Sequence, residues 1–234
     1  SLLSFKKTNI MNVCILASSG GYTFDYLLSA INLGIVDCSI NKIITDRSCR
    51  TDSIAKKHGI RHSTISQDMS LGKAAYSNLL LRQIPESTDL VLISLRRLIG
   101  GDILREFPNR IVNTHPSLLP AYQGYGANKK LLNDGKAMFG GCSCHLVNEL
   151  PDDGPIIIQS VVPLDEINEQ KEWELKLWHH QKYNLAQAVQ FFSENRVRVN
   201  KNSVFVKDAK YNSLPTNPAI ELSFDTLDSI FELV

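Results

Sequence analysis

Short apolar runs alternating with amphipathic stretches fill the first half of the chain and restrict the folds open to it more than any other feature. Asn12-Val13-Cys14-Ile15-Leu16-Ala17 and Leu90-Val91-Leu92-Ile93 are short apolar runs of the kind strands buried between two layers show, and Ile40 to Thr45 reads as the second strand. Between them Phe24, Tyr26, Leu27, Leu28 and Ile31 recur at helical spacing. Ile54 and Ala55 belong to a second helix, expected to be capped by Thr51 and to stop at Gly59. Leu71, Ala74, Ala75, Leu79 and Leu80 mark a third, from Ser70 to Ile84, and Ile60 to Ile65 reads as a weaker strand. This order predicts an α/β fold: an open, mostly parallel, Rossmann-like sheet with helices on both faces. Right-handed crossovers bring the strand C-termini to one edge. The turn at Ser18-Ser19-Gly20-Gly21, the loop around Arg97 and the end of the next strand then share a crevice.

That next strand, Ile111-Val112-Asn113-Thr114-His115, carries the chemistry. Side chains on a strand alternate, so Asn113 and His115 leave one side, and Pro116 ends the ladder because it has no N–H. His115 can move a proton near neutral pH, and Asn113 offers two N–H donors to a developing oxyanion. A histidine beside a strand also serves as a plain core residue. A second acidic centre, Asp152 next to Asp153, lies in the Pro/Gly-rigid loop from Asn148 to Pro155. A carboxylate beside an imidazole favours and orients the protonated ring, yet Asp before Gly is equally a turn former. Spacing along the chain leaves both readings open.

The rest of the chain adds a loop from Ala121 to Gly126, a short helix from Ala127 to Asn133 closed by Gly135, strands at Gly140 to Val147 and Ile156 to Val162, and a long helix from about Asn168 to Asn195. Alternation at Val204-Phe205-Val206 and at Ile220 to Phe224 fits a small hairpin or an edge addition. We expect one domain over residues 1–195, with 196–234 as a C-terminal extension packed on it. No apolar run approaches the roughly 20 residues of a membrane helix, and Ser1 to Ile10 lacks a secretory cleavage pattern. The five cysteines form no CxxC pair, which favours reduced thiols and a cytoplasmic setting. Cys142 and Cys144 share a strand face as buried structural residues. With 25 basic against 24 acidic residues the overall field gives no reason for a nucleic-acid partner. The Gly20 turn matches neither GxGxxG nor GxxxxGK, so a bare turn and a phosphate cradle both remain open.

Asn113-Thr114-His115-Pro116-Ser117-Leu118-Leu119-Pro120, followed by Gly124, Gly135, Gly141, His145 and Asp152-Asp153-Gly154-Pro155-Ile156-Ile157, resembles the signature of the folate-dependent formyltransferases, and within them the purine-biosynthetic branch. The likeness runs from about Asn12 to Tyr183. It implies transfer of a formyl group from 10-formyltetrahydrofolate to an amine, without metal. By the resemblance His115 is the proton donor, Asp152 keeps it protonated, and Asn113 helps bind the tetrahedral intermediate. On the donor side it points to Arg96, Arg97, Leu98 and Ile99, to Lys73 in place of an arginine, and to Asn148, Glu149 and Leu150 leading into Asp152.

On the acceptor side the resemblance assigns Gly21, Tyr22 and Thr23 to a ribonucleotide phosphate and Lys176 to the acceptor. His179 stands where an acceptor-binding glutamate is expected, and Tyr22 is far larger than the family's serine. A ring in place of an acid weakens capture of an ammonium group. His179 and His180 are neighbours on a helix and do not face one another, which argues against a metal pair. The favoured acceptor is glycinamide ribonucleotide. An amino sugar or another amine is the alternative, and a folate-binding protein without turnover the third reading. The formate-releasing hydrolytic relative fits less well because no regulatory module precedes Asn12. The methionyl-tRNA branch fits less well because Gln123 replaces its arginine and its long C-terminal domain is missing. Related enzymes often pair, so a homodimer is allowed.

Overall fold

The computed structural model describes residues 10–19, 21–65, 70–164, 170–211 and 216–231. Gly20, Ser1 to Asn9 and the expected helix start at Asn168 lie outside them. The described elements, in chain order, are β1 (Asn12–Ala17), α1 (Tyr22–Asn32), β2 (Ser39–Thr45), α2 (Arg50–Lys57), β3 (His62–Thr64), α3 (Lys73–Leu81), β4 (Leu90–Ser94) and α4 (Asp102–Glu106). They continue as β5 (Ile111–His115), α5 (Ala127–Asp134), β6 (Phe139–Leu146), β7 (Ile156–Pro163), α6 (Gln170–Ser193), β8 (Val197–Asn200), β9 (Ser203–Val206), β10 (Thr216–Asn217) and α7 (Asp225–Phe231).

Eight strands form one sheet in the order β10-β7-β6-β5-β4-β1-β2-β3. The five from β5 to β3 run parallel, and β6, β7 and β10 pair antiparallel. Period-two alternation feeds two cores. Val13, Ile15 and Ala17 face the layer that holds α1 and α6, whereas Cys14 and Leu16 face the layer of α3 and α4. Each such Ile or Leu is fully buried, and burial of one stabilises by roughly 1.5–3 kcal/mol. The expected α/β architecture, mostly parallel with helices on both faces, is the one found. Sheet growth reverses between β1 and β4, which opens a crevice at the strand C-termini. No described helix is long and apolar enough to cross a membrane.

Several local expectations are corrected. Helix α2 is capped by Cys49, not Thr51. Asp52 accepts from the Cys49 N–H at 3.1 Å and closes a capping box, while Thr51 is drawn inside the helix and its buried hydroxyl has no partner. Helix α3 starts at Lys73 because Gly72 is extended (ψ 166°), and it closes at Arg82, short of Ile84. The five-residue α4 is too short to leave a periodic signal.

In the tail, β9 pairs with β8, and the edge strand is β10 against β7. Ile220 to Phe224 is not a strand. Its apolar residues pack on the α1/α6 core, while the Glu221 and Leu222 N–H groups donate to Gln187 Oε1 of α6 at 2.6 and 3.1 Å. The alternation there records burial against a helix rather than a ladder.

Helix α7 is held by one carboxylate. Asp228 accepts from Tyr26 Oη and Tyr183 Oη at 2.7 Å each and from Lys182 Nζ at 3.2 Å. Lys182 is 3% exposed and also sits over the Tyr26, Trp178 and Tyr183 rings. Burial pushes the Asp228 pKa up, but the donors from Tyr183, Tyr26 and Lys182 outweigh it and hold it below the usual carboxylate range. A carboxylate with a depressed folded pKa stabilises above its unfolded pKa, and that stability drains as pH falls through the folded value. Asp228→Asn is therefore expected to cost about 2 kcal/mol at pH 7. Urea midpoints of the two proteins should converge as pH falls through and below the usual carboxylate range, and a gap unchanged across that fall would show a cause other than charge.

Candidate active site

The site is assembled where β5 meets β6. Register places Asn113 directly opposite His145 and His115 opposite Ser143, so alternation puts all four side chains on one face. Ser143 fixes the turn that follows β5. Its hydroxyl donates to the Ser117 carbonyl at 2.7 Å and accepts from the Leu119 N–H at 3.1 Å, and Gln159 Nε2 donates to it at 2.7 Å. The Leu119-Pro120 peptide is cis.

Asp152 enters from the β6–β7 loop with φ +51°, a left-handed conformation that Asp tolerates better than most residues. Its Oδ2 lies 3.3 Å from His115 Nδ1 and accepts from the Gly124 N–H at 2.9 Å. Its Oδ1 accepts from Asn113 Nδ2 at 3.4 Å and lies 3.5 Å from His145 Nε2. One carboxylate thus joins the carboxamide and both imidazoles. Gln123 Nε2 donates to the Asp152 carbonyl at 3.0 Å and steadies the loop.

Hydrogen bonds fix the roles of the two rings. His145 Nδ1–H donates to the Leu146 carbonyl at 2.8 Å, which leaves Nε2 to accept from Asn113 Nδ2 at 3.2 Å. His115 Nε2–H donates to the Tyr122 carbonyl at 3.0 Å while its Nδ1 faces the Asp152 carboxylate. Both His115 nitrogens therefore face oxygen acceptors, and only the doubly protonated ring satisfies both. Burial nonetheless outweighs the Tyr122 carbonyl and the Asp152 charge, so the His115 pKa lies below the ordinary value. Burial thus biases the ring toward its neutral form, while the two acceptors orient it for the proton it exchanges.

Asp152 is the complementary group. Burial raises its pKa, but the neighbouring His145 and His115 rings and the Gly124 N–H overcome this and hold it below the usual carboxylate range.

Asn113, His115, His145 and Asp152 open onto a cleft of about 760 Å³, within the usual range for ligand sites. The expected donor wall lines it: Arg96, Arg97, Leu98 and Ile99 on one segment, Asn148, Glu149 and Leu150 on another. Arg97 stacks on Tyr76 at 4.2 Å and donates to the Leu71 carbonyl, while Leu98 is 55% exposed toward the opening. Lys73 does not line the cleft. It braces Glu149, donating to Oε2 at 2.8 Å and to the carbonyl at 3.1 Å, and Glu149 Oε1 accepts from the Gly101 N–H at 2.8 Å.

The expected acceptor residues form a separate cluster. Gly21 caps α1 at φ +114°, and a Cβ there would fall 2.4 Å from Ile54 Cδ1. Tyr22 is covered by Arg50, whose guanidinium lies 3.8 Å from the ring centre and donates to Oη at 2.5 Å, and it meets the edge of Trp178 at 6.1 Å. Tyr22, Thr23, Lys176 and His179 are absent from the cleft lining, which reaches this corner at Ser19. Burial and then the Lys182 charge lower the His179 pKa, which favours the neutral ring. Burial pushes the Cys142 thiol up to about 12, as expected of a structural cysteine. Among the described residues no group of three or more His, Cys, Asp or Glu side chains is placed to hold a metal.

Sequence reasoning assigned no role to His145, Gln123 or Gly124. For His145 the signal was present, because alternation along Gly140 to Val147 puts it on the face of whichever strand pairs with that segment.

A carboxylate shared by two imidazoles and a carboxamide, at the C-terminal edge of parallel strands and open to a ligand-sized cleft, places groups able to exchange protons where an α/β enzyme holds its ligand. Residues 11–189 match the Formyl transferase family, and the chain belongs to that family. It is 22% identical over 202 residues to phosphoribosylglycinamide formyltransferase of Escherichia coli (strain K12), covering 84% of this chain and 93% of that protein. It is 32% identical over 153 residues to the trifunctional purine biosynthetic protein adenosine-3 of Bos taurus, covering 63% of this chain but only 15% of that much longer protein. Glycinamide ribonucleotide transformylase 1 from Symbiobacterium toebii superposes with a TM-score of 0.81 at 27% identity, over 85% of this chain and 95% of that one.

Proposed function

We propose that this chain transfers the formyl group of 10-formyltetrahydrofolate to a primary amine, with glycinamide ribonucleotide as the favoured acceptor. The observation that carries the reading is the Asp152 carboxylate, within 3.5 Å of His115, His145 and Asn113 at the mouth of the cleft. The name of the Escherichia coli relative supplies the formyl group and the acceptor, and the folate donor is what the resemblance of the sequence implies. The cleft supplies room for a flat heterocycle between Leu98 and Ile99 on one wall and the Asn148 to Leu150 backbone on the other.

In this reading Asn113 and His115 meet the carbonyl oxygen that becomes negative as the amine nitrogen bonds to the formyl carbon. The Asn113 bond to Asp152 is long at 3.4 Å, so that N–H is the one free to turn toward the oxyanion. Asp152, ionised, takes the proton that the attacking nitrogen sheds, through a water. His115 gives its proton to the departing folate nitrogen as the carbonyl re-forms. Acid–base assistance of this type contributes roughly 10²–10⁴-fold.

The test is incubation of the protein with 10-formyltetrahydrofolate and either glycinamide ribonucleotide or an amino sugar, with formylated product and free formate measured separately. Formylation of the ribonucleotide supports the full reading. Formylation of the sugar alone keeps the reaction and replaces the acceptor. Formate release that ignores both amines overturns amine transfer.

A further inference from the structure

The cleft contains a negative charge that the catalytic arrangement leaves unused. Glu174, on the second turn of α6, lines the same cleft as His115 and Asp152. Its Oε1 accepts from Gln170 Nε2 at 2.6 Å and from Asn128 Nδ2 at 3.5 Å, both neutral amides. The other carboxylates lining the cleft are committed elsewhere, Glu149 to Lys73 and Asp152 to the two histidines. Among the described residues no cation lies within ion-pair distance of Glu174. A carboxylate in the cleft steadied only by neutral amide donors suits a group that brings positive charge. A primary ammonium is such a group.

We propose that Glu174 is the counter-ion that captures the acceptor amine in its protonated form. This rests on the amine-transfer reading above and supplies what that reading lacks. The residue expected to carry an acceptor-binding acid, His179, is a ring outside the cleft lining, whereas position 174 on the same helix places a carboxylate in it. The division of labour is physical. Glu174 raises the local concentration of the cationic amine, which gives one proton to solvent before attack, and Asp152, beside two imidazoles, takes the second proton as the nitrogen bonds to the formyl carbon. Arg96 and Lys129 also line the cleft, so an acceptor that carries an anionic group as well as the ammonium meets both signs of charge.

Glu174→Gln removes the charge and retains an oxygen to accept from Gln170. With glycinamide ribonucleotide and glucosamine as probes, the KM of whichever amine the wild type formylates should rise on the order of tenfold in this variant. The KM for 10-formyltetrahydrofolate and kcat should stay within about twofold of wild type. The wild-type amine KM should climb with ionic strength between low salt and about 0.3 M, and the variant's should climb less steeply, because one of the attractions being screened is gone. A structural role would not produce that flattening of the salt dependence. Glu174→Asp, which restores charge on a shorter arm, should recover part of the affinity. An unchanged amine KM with an unchanged salt response would overturn the assignment of Glu174 and leave amine transfer standing. A wild type that formylates neither probe would overturn the assignment together with the reading on which it rests.

Discussion

Asp152→Asn is expected to lower kcat for formyl transfer by roughly 10³-fold while moving the thermal midpoint by less than about 3 °C. The substitution is close to isosteric, and asparagine adopts the φ of +51° found at this position as readily as aspartate does. The side chain keeps an oxygen to accept from the Gly124 N–H, now at 2.9 Å, so the loop keeps its anchor. What disappears is the ionised acceptor 3.3 Å from His115 Nδ1 and the group that takes the amine's proton. Single-turnover transfer compared with circular-dichroism melting separates the two effects. Wild-type turnover in a folded variant would remove Asp152 from the chemistry. The pH response gives a second readout, because the depressed pKa of Asp152 predicts wild-type activity that declines only as the acid side of the carboxylate range is reached. The variant has no such limb.

The parallel half of the molecule was legible because its signals are short-range. Val13, Ile15 and Ala17 alternate with Cys14 and Leu16, and a strand covered on both faces can present no other pattern. Asn113 and His115 follow from the same period, and their meeting with Asp152 was implied by the family signature rather than by spacing. The tail was less legible because periodicity records burial and not the partner that causes it. Ile220, Leu222 and Phe224 alternate as a strand would, yet the backbone between them is satisfied by the Gln187 side chain. Thr51 misled for a related reason. Ser, Thr and Asp near a helix start compete for the cap, and Asp52 reaching back to Cys49 N–H settles the register two residues earlier. The acceptor side was hidden for a third reason. Which α6 side chain enters the cleft depends on the rotation of that helix against β6 and β7, and no local pattern encodes it.

The other large effect should come from a residue with no side chain. A Cβ at Gly154 would stand 1.7 Å from the Leu146 carbonyl oxygen and 2.7 Å from its carbonyl carbon, so Gly154→Ala must move backbone. Neither side yields easily. The Leu146 N–H donates to the Pro155 carbonyl at 2.8 Å, which locks the loop to β6, and the Leu146 oxygen accepts from His145 Nδ1 at 2.8 Å. Displacing that oxygen frees the ring that orients Asn113, and displacing the loop carries Asp152 away from His115. We expect a loss of about 3 kcal/mol or more in urea unfolding, together with at least a 10²-fold loss of transfer, since misplacement near 1 Å is enough. Gly34→Ala is the control. There φ is +71° but nothing lies within 4 Å of the added methyl, so about 1 kcal/mol should be lost through backbone strain alone, with kcat unchanged. If Gly154→Ala instead behaved like Gly34→Ala, losing stability but keeping its rate, the exact placement of the Asp152 loop would not be what the chemistry depends on.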